Sequence, residues 1–219
     1  MPIYKLRVEQ NHFLAELENG FALIDTGSPV SFGTGQPLEI GDTQDDLAGL
    51  LPSISHEVGA EVSSLIGTDI LGAWAVVLDW NAGEIRFERA PMEIPGTEIP
   101  VHLRLGVPLL DISVQGRTVK AILDSGAQLS YADPETANTH LPVGVVDDFY
   151  PMLGRFETSV YRFPVIAGGR EIDAQWGILP GALGHLLGIA GARWILGVDF
   201  FRERRIVLDF ANGRVFDSA

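Results

Sequence analysis

Two aspartates in this chain sit in matched surroundings. Asp25 closes the apolar run Phe21-Ala22-Leu23-Ile24 and is followed by Thr26 and Gly27. Asp124 closes Val119-Lys120-Ala121-Ile122-Leu123 and is followed by Ser125 and Gly126. Two carboxyls a hydrogen bond apart cannot both ionise cheaply, so they share a proton and titrate as a pair in two separated steps. The ionised member can draw a proton from water while the protonated member polarises a carbonyl and then supplies a departing nitrogen. Amide hydrolysis needs both functions at one place. Gly27 and Gly126 suit such a site because a side chain there would obstruct close approach of the backbone. Either tripeptide alone reads equally well as a strand followed by an ordinary turn.

What separates the pair from chance is that the rest of the pattern repeats in register. Leu65-Ile66-Gly67-Thr68-Asp69 corresponds to Ile195-Leu196-Gly197-Val198-Asp199. Val77-Leu78-Asp79-Trp80-Asn81-Ala82-Gly83 corresponds to Val207-Leu208-Asp209-Phe210-Ala211-Asn212-Gly213. The step from Asp69 to Asp79 equals the step from Asp199 to Asp209, 10 residues each. A period of this size indicates a duplicated lobe rather than a solenoid. Asp69 and Asp199 read as helix-start caps, and Asp79 and Asp209 as turn partners before a last hairpin. The copies differ in their middles. Asp25 to Gly67 is 42 residues and Asp124 to Gly197 is 73, so the second copy carries 31 more.

These residues resemble an aspartic protease with both lobes in one polypeptide. Asp25-Thr26-Gly27-Ser28 is similar to the first-lobe motif of pepsin-like enzymes, and Asp124-Ser125-Gly126-Ala127 to that of retroviral proteases. Leu65-Ile66-Gly67 and Ile195-Leu196-Gly197 resemble the segment that threads behind each active-site loop in that family. The resemblance implies an all-β fold of two pseudo-symmetric retropepsin-like barrel lobes with a cleft between them. It divides the chain into a lobe at 1–90, a linker at 91–98 and a lobe at 99–219. It implies catalytic Asp25 and Asp124, with Thr26 and Ser125 hydrogen-bonding across to the opposite loop, and no metal or organic cofactor. The substrate would be an extended peptide or protein, held by backbone hydrogen bonds and alternating apolar pockets.

The extra length of the second copy includes Asp147-Asp148-Phe149-Tyr150-Pro151-Met152-Leu153-Gly154-Arg155-Phe156. Turn residues there lie between two apolar arms. By analogy with the family this is a flap closing over bound peptide, with Tyr150, Met152 and Gly154 against the substrate. An ordinary surface hairpin has the same local composition. Pepsin-like enzymes carry their flap in the first lobe, so this placement departs from them.

Composition narrows the alternatives. The net charge is −14, and Lys5 and Lys120 are the only lysines. Nucleic acid and anionic membrane both call for a basic surface, so neither is expected as a partner. There is no cysteine, hence no disulfide framework and no thiolate metal site. Met1-Pro2-Ile3-Tyr4-Lys5 has no signal-peptide pattern, which with the missing cysteines points to the cytoplasm. The apolar stretch from Trp176 to Gly197 is broken by Gly, Pro, His and Arg and is no membrane span. His12, His56, His102, His140 and His185 show no metal-ligand spacing and read as solvated or satisfied structural residues. The four tryptophans read as core.

Strand signals dominate the elements that would position the aspartates. Tyr4–Val8, Phe13–Leu17 and Phe21–Ile24 are split by Gln10-Asn11 and by Asn19-Gly20, a hairpin signal. Val101–Leu105, Leu109–Val114 and Thr118–Leu123 repeat that layout around Gln115-Gly116. Helices are expected over Thr43–Leu51, over Asp133–His140, and after Gly67 and Gly197. The reading is a monomeric aspartic endopeptidase. A peptide-binding module that keeps this fold without turnover is the rival from another class, and a homodimer is a third reading.

Overall fold

The computed structural model describes residues 1–34, 38–89, 94–151 and 153–218. The first half of the chain runs β1 (Ile3–Glu9), β2 (His12–Leu17), β3 (Gly20–Ile24), β4 (Phe32–Gly33), β5 (Gln44–Asp45), α1 (Leu51–Val58), β6 (Val62–Ile66), α2 (Thr68–Leu71), β7 (Ala75–Asp79) and β8 (Glu84–Glu88). The second half begins β9 (Thr97–Arg104), β10 (Val107–Val114), β11 (Arg117–Leu123), β12 (Ser130–Tyr131), α3 (Pro134–Ala137) and β13 (Gly144–Tyr150). It continues β14 (Gly154–Ala167), β15 (Arg170–Gly177), α4 (Gly181–Ala190), β16 (Trp194–Leu196), β17 (Arg205–Asp209) and β18 (Arg214–Ser218), with 3₁₀ turns at Val198–Phe200 and Phe210–Asn212. The fold is mostly β. The expected join at 91–98 falls partly outside the described residues, and Thr97 already belongs to β9.

Tight turns set the hairpin registers. Gln10 and Asn11 both take positive φ, 46° and 61°, the left-handed geometry that matches strand twist in a two-residue turn. Gln115 and Gly116 do the same at 50° and 77°. The strands before each aspartate follow: β1–β2–β3 pair antiparallel in sequence, as do β9–β10–β11. Each aspartate-bearing strand then takes a parallel neighbour from far along the chain. Leu23 and Ile24 lie beside Leu65 and Ile66 of β6, while Ile122 and Leu123 lie beside Ile195 and Leu196 of β16.

The halves also share one antiparallel sheet, in the order β1–β8–β7–β17–β18–β9. Its middle is the pairing of Val76, Val77 and Leu78 with Leu208, Val207 and Ile206, all buried. The main core continues across this junction; the Phe13 and Phe201 rings meet edge-on at 5.3 Å. Trp74, Trp176 and Trp194 are buried in this core and Trp80 packs against it. Among the described residues no helix is long and apolar enough to cross a membrane.

One helical expectation is corrected and one helix is added. The first-half helix is Leu51–Val58 rather than Thr43–Leu51. Asp46 stops the earlier segment from being helical by turning its carboxylate onto the Leu50 and Leu51 N–H groups, at 2.9 and 2.8 Å. Pro52 fits the first turn, where its missing N–H costs nothing, and Gly59 ends the helix at φ 73°. α4 was not expected at all. Both helices pack over a half's β3–β6 or β11–β16 pair: α1 buries Leu51, Ile54 and Val58 against Leu23 and Leu65, and α4 buries Leu187 and Ala190 against Leu109 and Ile122.

Candidate active site

Asp25 and Asp124 leave the ends of β3 and β11 and face each other within hydrogen-bonding reach. Their backbones approach because the residues opposite are glycines. A Cβ on Gly126 would lie 2.6 Å from Asp25 Oδ1, and one on Gly27 would fall on the Asp124 carboxyl. Asp25 Oδ1 accepts from Gly27 N at 2.9 Å and Ser28 N at 3.1 Å; Asp124 Oδ1 accepts from Gly126 N at 2.9 Å. Each carboxyl is thus fixed by its own loop and turned toward its counterpart.

Thr26 and Ser125, both fully buried, brace the two loops reciprocally. The Thr26 hydroxyl donates to Leu123 O at 2.7 Å and accepts from Ser125 N at 2.9 Å. The Ser125 hydroxyl donates to Ile24 O at 2.7 Å and accepts from Thr26 N at 3.0 Å. Four buried backbone groups are paired across the junction, so displacing either loop breaks buried hydrogen bonds.

Behind each loop the same device recurs. Ser31 Oγ takes the Gly67 N–H at 2.8 Å, and Ser130 Oγ takes the Gly197 N–H at 3.0 Å. A Cβ at Gly67 would meet Ser28 O at 2.7 Å; one at Gly197 would meet Ala127 O at 2.6 Å. Asp69 and Asp199 are not helix-start caps; each is the second residue of a short helical turn whose cap position is Gly67 or Gly197. Asp69 instead holds Ser31, accepting from its N–H at 3.0 Å and its hydroxyl at 2.5 Å, while Asp199 accepts from Gln175 N of β15 at 3.2 Å. Asp79 and Asp209 are turn partners, accepting from Ala82 N at 2.9 Å and Asn212 Nδ2 at 2.8 Å.

Electrostatics follow from this geometry. Burial, and then the charge of Asp124, push the Asp25 carboxyl well above the usual carboxylate range. Burial raises Asp124 as well. The shift belongs to the pair, which keeps a proton where an isolated carboxyl would lose it.

The carboxyls stand at the floor of a cleft of about 560 Å³, walled by apolar side chains of both halves, among them Leu23, Ile54, Ile122 and Leu187. β13 and β14 form its roof. Their register sets Tyr150 opposite Gly154, Phe149 opposite Arg155 and Asp148 opposite Phe156. Asp148, Tyr150 and Phe156 therefore share one face, by the two-residue period of a strand. All three line the cleft. Burial, then the charges of Asp124 and Asp25, raise the Tyr150 phenol, which keeps it a neutral donor beside the carboxyls. Gly154 opens the turn into β14 at φ 84°. Met152 lies outside the described residues.

Several cleft residues were not singled out in sequence. Asp148 is buried and accepts from the Tyr131 hydroxyl and from Gln128 Nε2 at 2.6 Å, tying the roof to its own half. Burial, then the charge of Asp148, raise the Tyr131 phenol, which keeps it a neutral donor to Asp148. Glu57 lines the opposite wall and meets Arg155. His12 lines the cleft, and among the described residues its buried Nδ1 meets no partner at full hydrogen-bond geometry. Burial lowers its pKa, so it is neutral at pH 7. His140 contacts Gln115 at 3.0 Å and stacks on Phe163, a structural role.

No family model matches this chain, and no curated protein matches it. Among solved structures, it is similar to the solution structure of simian foamy virus (mac) protease. That similarity has 19% identity and a TM-score of 0.31, and covers 41% of this chain and 86% of that one.

Proposed function

We propose that this chain is an aspartic endopeptidase in which Asp25 and Asp124 activate a water against a peptide bond. The observation that carries the reading is the shared site. Two carboxyls with raised affinity for a proton face each other, and the reciprocal Thr26 and Ser125 bonds brace them. A water between the carboxyls gives a proton to the ionised member as its oxygen attacks the carbonyl carbon. The protonated member hands its proton to the carbonyl oxygen. Collapse of the tetrahedral species breaks the C–N bond: one hydroxyl returns its proton to the ionised carboxyl as the carbonyl re-forms, and the nitrogen leaves with the proton of the other carboxyl. The proton count of the dyad is then restored.

In this reading the two halves of the chain are pseudo-symmetric retropepsin-like lobes, and the substrate lies extended in the cleft between them. The β13–β14 hairpin is the flap. Tyr150, which lines the cleft, donates a hydrogen bond near the scissile amide, and the apolar walls take apolar side chains on either side of it. One chain supplies both carboxyls, so a monomer suffices and neither metal nor cofactor enters the chemistry. Residues 1–90 and 99–219 are the lobes.

The test is digestion of a peptide library across pH 3 to 8, with Asp25→Asn as control. Cleavage that disappears in the control supports the reading. Binding of extended peptides without cleavage at any pH replaces it with the non-catalytic module.

A further inference from the structure

The roof hairpin is held at two places of different character. On its own half the holding point is buried, with Asp148 gripped by Tyr131 and Gln128. On the opposite half it is an ion pair at the rim. Arg155 Nε donates to Glu57 Oε1 at 3.1 Å, and Arg155 Nη2 lies 2.9 Å from Glu57 Oε2. Two contacts from one guanidinium to both oxygens of one carboxylate make a directional, bidentate pair. Among the described residues it is the one ion pair between this hairpin and the first half.

Glu57 is badly placed for its own helix. It is the next-to-last residue of α1, where unpaired carbonyls concentrate negative charge and an acidic side chain is disfavoured. The helix core does not require it either, since Leu51, Ile54 and Val58 form the buried face. Arg155 supplies a permanent positive charge from 98 positions along the chain. A local rule is broken here, and the compensation comes from the element that covers the carboxyls.

We propose that Arg155 and Glu57 form a latch that holds the β13–β14 hairpin down over Asp25 and Asp124. Both are then positioning residues for the hydrolysis proposed above, and their catalytic part rests on that reading. The buried Asp148 cluster is the fixed end of the hairpin and the ion pair its releasable end. The pair suits release because its cation stands in water: the Arg155 side chain is 58% exposed, against 18% for Glu57. A pair with one partner standing in water contributes modestly and is weakened by salt, so it opens without disturbing the core. A covering element has to lift to admit a peptide and close to exclude water.

The latch is read first without substrate, by amide hydrogen exchange over residues 149–156 of the full chain at low salt. Glu57→Gln and Arg155→Gln should each speed exchange there by about two- to fivefold, the range an exposed pair supports. The swap Glu57→Arg with Arg155→Glu should return it toward the native rate. With a cleavable peptide, each single variant should lower kcat by a similar factor with KM nearly unchanged, and the swap should restore kcat. Raising salt should slow the native protein toward the single variants and leave those variants where they are. Unchanged exchange in the single variants, or a swap that exchanges as fast as they do, overturns the latch. A native protein that cleaves no peptide overturns the proposed function instead, and exchange still decides the latch.

Discussion

The two halves of this molecule solve one problem twice and another problem once. Holding a carboxyl is solved twice. β3 and β11 each deliver an aspartate, β6 and β16 each run parallel beside it, and Gly67 and Gly197 each press against the loop behind it. Even the serine that takes the glycine N–H recurs, as Ser31 and Ser130. Covering the carboxyls is solved once. Both halves place a helix over the strand pair, α1 and α4, but the second half adds β13, β14 and β15 before its helix. The difference is instructive. Sharing a proton requires two equivalent carboxyls, so that part is bound to the symmetry. In the proposed function a single peptide needs a single roof, so that part is free to depart from it.

The strongest way to break the comparison is to make the carboxyls unequal. Asp25→Asn and Asp124→Asn should each lower kcat/KM by about a thousandfold or more, because one shared proton needs both groups. A large loss from one and a small loss from the other would show that they do not act as a pair. Stability should move the opposite way. A carboxyl whose pKa rises on folding stabilises the fold below its unfolded value, about 3.9, and that contribution is lost as pH climbs through the folded value. Both aspartates are shifted upward. Each amide variant should therefore melt higher than the native protein at pH 7, with the advantage fading toward pH 3. Calorimetry across that range checks the sign.

A second change separates cover from frame. Deleting residues 151–155 should lower kcat/KM by on the order of a hundredfold, since reacting groups lose their alignment, while Tm barely moves. In the first half, Asp46→Ala removes the acceptor of the Leu50 and Leu51 N–H groups at the start of α1. It should cost about 1 kcal/mol of stability and leave kcat/KM within about twofold. A deletion that leaves cleavage intact would move the cover elsewhere.

The repeated parts of the molecule were legible in the sequence because they are local. An apolar run ending in Asp-Thr-Gly, a turn at Asn19-Gly20 and an Ile66-Gly67 pair are each written in a few neighbouring residues. The observed strand edges lie within a few residues of those runs. What escaped is of two kinds. α4 has apolar residues on every side, with Leu186 and Ile189 exposed, so no amphipathic period marks it as a helix. α1 was misplaced although Pro52 and Gly59 both mark its true ends. The other kind is long-range. Nothing near Glu57 in sequence names Arg155, and nothing near Tyr131 names Asp148; the fold alone brings them together. An acidic residue in the last turn of a helix was the one local sign that Glu57 has a partner elsewhere.

The most symmetric effect concerns the hydroxyls that bind the halves together. Thr26→Val deprives Leu123 O of its donor and Ser125 N of its acceptor. Ser125→Ala does the same to Ile24 O and Thr26 N. All of these bonds are buried, so water cannot replace the lost partner, and each variant should cost about 1–3 kcal/mol. The hydroxyls serve opposite loops by equivalent bonds, so the two costs should agree to within about 1 kcal/mol, allowing for the methyl that Val keeps. In the double variant both loops lose their hold on the junction, and the combined loss should depart from the sum of the two because the sites share one interface. Denaturant unfolding of the two single variants and the double gives all three numbers. Equal single costs with a clear coupling would make the brace one symmetric unit. A cost confined to Thr26→Val would mean that the first loop supports the second and not the reverse, and the equivalence of the halves would end at the carboxyls.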